Sequence, residues 1–156
     1  MKNIRRPEKF EGIFKLLSER PHPSTGKPIF STLRDLLCFV AVIGFNEGKR
    51  TPLEGKTIEL DGRVFDNSQS SMDLIYLLAL AEGRDAMILH PDREDEVATI
   101  FEEFSATGLG VLDRWMKECS DDINGDRAIL TALRKEGFLK KSSGPSVNNV
   151  IDQVQF

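Results

Sequence analysis

Two oily stretches, residues 33–45 and 72–81, constrain this chain more than any other feature of it. In the first, Leu33, Leu36, Leu37, Phe39, Val40, Val42 and Ile43 leave almost no polar side, and a helix of that kind is expected at the centre of a fold, wrapped by others. Ser31 is its expected N-cap, and Gly44 and Gly48 signpost its end. In the second, Met72, Ile75, Tyr76, Leu78, Ala79 and Leu80 run from a cap at Ser70 or Ser71 to a stop at Gly83, which predicts a second buried helix. Laid side by side, the two make an interior and leave charged faces for work. Neither reaches the ~18 apolar residues of a membrane span, so no membrane is expected among the partners.

The remaining pattern is also mostly helical. Pro7, Phe10, Ile13, Phe14 and Leu17 have the spacing of an amphipathic helix over 7–18, with proline in its first turn. Pro21, Pro23 and Pro28 then mark an exposed loop. Ile58, Leu60, Val64 and Phe65 flank Asp61-Gly62, a strong turn signal, and predict a short β-hairpin resting Ile58, Leu60 and Phe65 on the helices. His90-Pro91-Asp92 opens a helix with Val97, Ile100, Phe101 and Phe104 facing inward and a solvated acidic outer face. The glycines of 105–110 are expected to mark a bend before another helix that carries Trp115, which reads as core. Ala128, Ile129, Ala132 and Leu133 form a last short helix. The fold class is therefore mostly α: one compact helical domain, 1–141, of five to six helices with one short hairpin, followed by a flexible C-terminal tail, 142–156.

Charge is unevenly spread. Of the 156 residues, 1–63 hold 12 Lys and Arg against 8 Asp and Glu, 64–126 hold 4 against 15, and 127–156 hold 5 against 2. A polyanion should avoid the acidic middle and seek the basic ends. Cys38 and Cys119 lie far apart without metal-ligand or Cys-x-x-Cys spacing, which predicts reduced thiols and a cytoplasmic home. The basic N-terminus is followed by amphipathic sequence instead of an apolar signal core, so export is not expected.

Chemistry has little to work with. His22 and His90, the two histidines, each stand beside a proline in a predicted loop with no evident partner. Asp122-Ile123-Asn124-Gly125-Asp126 begins like a calcium loop, but Arg127 stands where the sharp turn wants glycine and Leu133 where a glutamate must be. Glu102-Glu103 are sequence neighbours on a helix and do not converge on a metal. No phosphate loop, nucleophile elbow or nucleotide fingerprint occurs. No catalytic residue, metal or cofactor is therefore expected; only carboxylates from distant helices converging on a metal would give a nuclease or hydrolase. For nucleic acid, the candidate contacts are Lys2, Arg5 and Arg6 at the start and Lys49 and Arg50 after the second helix, with Lys140-Lys141 as a further basic pair.

Several blocks taken together resemble one small bacterial family. They are Arg5-Arg6-Pro7-Glu8-Lys9-Phe10, the apolar 35–44 run, Leu74-Ile75-Tyr76-Leu77-Leu78-Ala79-Leu80-Ala81, and Ile100-Phe101-Glu102-Glu103-Phe104 leading into Gly108-Leu109. The family is dnd system-associated protein 4, encoded beside DNA phosphorothioation genes. The blocks are mostly helix signatures, so no catalytic residues carry over. The resemblance implies a non-enzymatic accessory of a DNA modification or restriction system in anti-phage defence. Its partners would be sulfur-modified DNA or the modification and restriction proteins of the same system. The alternative is an adaptor whose acidic helix, 92–103, docks on a basic surface of another protein without touching DNA.

Overall fold

A computed structural model describes residues 1–140; the expected tail, 142–156, lies outside them. Six α-helices and one antiparallel strand pair make up the described fold, in the order β1 (Ile4–Pro7), α1 (Glu11–Phe14), α2 (Leu33–Glu47), β2 (Thr57–Leu60), α3 (Arg63–Asp66), α4 (Gln69–Gly83), α5 (Glu94–Glu118) and α6 (Asp126–Lys135). The mostly helical class expected from the periodicities is the class found.

α2 starts where the Thr32 hydroxyl, one residue later than the expected Ser31, accepts the Asp35 N–H at 3.1 Å. It stops at Gly48, whose φ of 75° is left-handed. α4 is capped by Ser68 instead of Ser70 or Ser71. The expected helix over 7–18 begins late, because Pro7 closes β1; a 3-10 turn (Glu8–Phe10), α1 and a π turn (Lys15–Glu19) then follow one another.

The hairpin is corrected. β2 does not fold back at Asp61-Gly62; it pairs with β1, Ile4 opposite Leu60 and Pro7 opposite Thr57. Asp61 instead accepts the Arg63 N–H at 2.9 Å and so starts α3, while the exposed Arg63 guanidinium lowers its carboxyl to about 2. Gly62 is needed for another reason: a Cβ there would sit 1.9 Å from the Met1 carbonyl oxygen.

The bend is corrected too. α5 runs unbroken for 25 residues, and it is the hub of the fold, with α2 as its principal neighbour. Gly44 of α2 and Gly108 of α5 lie at their crossing. A Cβ on Gly108 would stand 1.7 Å from the Val40 carbonyl oxygen, and one on Gly44 would stand 1.9 Å from that of Phe104. Glycine serves here to let two backbones touch. One contiguous core gathers Phe14, Leu36, Leu37, Val40, Ile75, Phe101, Leu109 and Leu112 around this crossing. Phe101 meets Phe65 edge-on at 5.7 Å, an arrangement worth about 0.5–1.5 kcal/mol beyond its burial.

Neither oily helix is enclosed on all sides. α4 buries only Ser71, Ile75, Leu78 and Ala79, and Leu77 is 62% exposed. On α2, Val42 and Phe45 keep part of their surface in water. Trp115, as expected, is core, at 3% exposed.

Candidate functional site

The basic segments and the acidic middle of the sequence meet in the fold. β1 runs along α5, and the carboxylate of Glu102 takes three donors from one residue of β1. The Arg5 N–H reaches Oε1 at 2.8 Å, its Nε reaches Oε1 at 3.2 Å and its Nη2 reaches Oε2 at 2.8 Å. Glu102 is 2% exposed while the Arg5 side chain is 45% exposed. The expected solvated acidic face is therefore in part a buried one, and it is buried because Arg5 supplies the donors that water would have given. Hydrogen bonding to Glu102 in turn holds the Arg5 guanidinium above its ordinary pKa.

Three of the other expected DNA contacts are similarly engaged. Lys2 Nζ lies 3.1 Å from Asp95. Arg50 donates through Nε to Glu103 at 2.6 Å and stands 3.5 Å from Glu82, joining the end of α2 to α5 and α4. Arg6 is 4% exposed, ion-paired with Glu11 and stacked 4.0 Å over the Phe14 ring, so it belongs to the interior of the β1–α1 corner. The structure brings Lys2, Arg5 and Arg50 together as clasps on α4 and α5, not as one open basic patch.

Lys49 stands apart. The buried Thr107 hydroxyl of α5 lies 3.1 Å from the Lys49 carbonyl and 2.7 Å from the Thr51 hydroxyl, and the Thr51 N–H donates to the Glu103 carbonyl at 3.2 Å. This strap holds the 49–51 backbone against α5, where Lys49 is among the residues lining a cleft of about 310 Å³. Lys9 and Phe10 from the β1–α1 corner and Ala106, Gly110 and Arg114 from α5 also line it, Arg114 lying 3.7 Å from Glu47. Neither Lys9 nor Lys49 forms an ion pair among the described residues, in contrast to Lys2, Arg5, Arg6 and Arg50. A second hollow of about 450 Å³ continues from Arg114 past Cys119 to Lys135 on α6.

Sequence reading missed Lys9, Gly110 and Arg114 as members of one surface. Lys9 reads as the polar side of an amphipathic helix, and Gly110 as half of a bend. The only signal was the pair Gly108 and Gly110, two residues apart on a helix and therefore on nearly opposite faces. Gly108 meets α2, whereas a Cβ on Gly110 would have nothing within 4 Å.

The histidines have structural partners. His22 Nδ1 accepts the Ser24 N–H at 3.1 Å, so Nε2 carries the proton toward Asp126, 3.1 Å away and 104 residues on. His90 Nδ1 accepts the Asp92 N–H at 3.3 Å at the entry to the turn preceding α5. In the loop that began like a calcium site, Asp122 accepts the Ala128 N–H at 2.8 Å and caps α6. Burial opposes its charge, but the N–H groups of Ala128, Asn124 and Gly125 outweigh that and hold its carboxyl below the ordinary 3.8. Cys38 is half-buried, and that burial pushes its thiol up. Among the described residues no three His, Cys, Asp or Glu side chains are grouped to hold a metal, and no helix is long and apolar enough to cross a membrane.

No curated protein and no solved structure matches the chain. A family model does, over residues 3–148, which takes in every described element from β1 to α6. The clasp of β1 on α5, the glycine crossing and the cleft over Gly110 are thus features of a member of the family of DNA sulphur modification system-associated protein 4, to which this chain belongs.

Proposed function

We propose that the chain is a non-enzymatic, cytoplasmic accessory of a bacterial DNA phosphorothioation-linked modification or restriction system, active in anti-phage defence. It acts by holding a protein of that system, not DNA. One observation carries this reading: of the six described basic side chains named for phosphates, with Lys141 outside the described residues, Lys2, Arg5, Arg6 and Arg50 are engaged by the chain's own carboxylates. Releasing them to a duplex would break those pairs, including one that leaves Glu102 buried without its partner. Three acids of α5, Asp95, Glu102 and Glu103, are engaged by the same pairs. The non-enzymatic part is supported by the structural bonds of both histidines.

The test has two arms. Purified modification and restriction proteins encoded beside the gene are passed over the immobilised chain, and modified and unmodified duplexes are run in gel shifts across a salt series. Retention of one of those proteins is expected, with duplex binding no tighter than the ~10⁻⁴–10⁻⁶ M of non-specific contact. Tighter duplex binding that survives moderate salt, with no protein retained, refutes the reading.

A further inference from the structure

Taking the binding of a partner protein as given, we propose that the cleft over Gly110 is where that partner docks, and that the docked element is an extended segment carrying acidic side chains. Three independent features of the cleft lead there. Ala106 and Gly110, one turn apart on α5, line it, with nothing within 4 Å of where a Gly110 Cβ would be. A helix position without a side chain, as at Gly110, admits a foreign backbone to contact distance, as Gly108 does for the backbone of α2 on the other face of the same helix.

The cations at the cleft are available. Lys9 and Lys49 both line it and both are exposed, Lys9 with its ammonium 5.1 Å over the Phe10 ring and without a carboxylate partner among the described residues. Lys49 is held in place by the Thr107 strap, so its backbone is ordered before anything binds. The charge pattern then selects among anions. Glu54 also lines the cleft, and Glu47 lies beside Arg114 at its end. A nucleic-acid backbone carries a charge at every step and would be repelled at those positions. A peptide can set its carboxylates opposite Lys9 and Lys49 alone and pass the glutamates with neutral residues.

The experiment uses the full-length chain and an array of overlapping 15-residue peptides covering the modification and restriction proteins of the same gene cluster, read by fluorescence polarisation. Binding by one or more peptides containing at least two acidic residues is expected. It should weaken about tenfold in K9E/K49E and be lost in G110L, whose side chain fills the open space beside residue 110. Circular dichroism of each variant shows that it is folded, and K9R/K49R restores binding. If full-length partners are retained equally by the wild type and by G110L, the docking site is overturned while partner binding stands. If no partner protein is retained at all, both fall. If a duplex competes with the peptide at Lys9 and Lys49, the cleft is a nucleic-acid site and the inference is wrong.

Discussion

Two glycines of α5, two residues apart, should respond in opposite directions to the same substitution. An alanine at 108 would put its Cβ 1.7 Å from the Val40 carbonyl oxygen and 2.5 Å from its carbon, both backbone atoms that no rotamer change can move. The two helices must therefore part by roughly 1 Å or more, a gap that forfeits about a quarter to a half of each dispersion well along the interface. That interface carries Leu36, Leu37, Val40, Phe101 and Leu109, so a cost at the upper end of overpacking, about 3 kcal/mol, is expected. The better helix propensity of alanine returns about 1 kcal/mol, leaving a net loss of about 2 kcal/mol. At 110 no atom lies within 4 Å, and only the gain remains. Urea unfolding followed by circular dichroism and by Trp115 fluorescence measures both. The midpoint should fall by roughly 1 M in G108A and rise slightly in G110A. A G108A protein as stable as the parent would show that α2 and α5 do not cross backbone to backbone.

The Arg5–Glu102 clasp should be asymmetric. Removing Arg5 strands a buried carboxylate, and R5A should cost about 3 kcal/mol; E102Q leaves an arginine free to turn into water and should cost about 1 kcal/mol, as urea midpoints will show. Equal costs would mean that Glu102 is reached by water. Acid should loosen α6 through Asp122. Its folded carboxyl titrates below the ordinary 3.8, so its contribution is whole above that value and is lost as the pH falls through the folded pKa. D122N should accordingly be less stable than the parent at pH 7 and lose less on going to pH 3, measured as thermal midpoints; an unchanged difference between the two pH values would remove Asp122 from the cap.

The helices were legible because their signals are local. The spacing of Phe10, Ile13, Phe14 and Leu17, the apolar runs 33–45 and 72–81, and the acids of 94–96 before Val97 each report a repeat of 3.6 residues that needs no distant partner. Cap positions slipped by one to three residues, since Ser68, Ser70 and Ser71 are equivalent on chemistry alone and only the entry path of the chain chooses Ser68. The hairpin signal at Asp61-Gly62 was local as well, and it lost to pairing across 50 to 56 residues with β1.

Composition and periodicity by themselves determined that this chain is a helical domain with an apolar interior, and the pattern of its helix blocks was enough to point to its family. Only the tertiary structure decided what its charges and glycines are for. A basic N-terminal segment and an acidic helix look in sequence like two binding surfaces, yet Arg5 and Glu102, 97 residues apart, find each other first. The reason is physical. Helix formation is settled between residues three and four apart, whereas the use of a charge or a missing side chain depends on which backbone is brought alongside it, and that is a property of the packed whole.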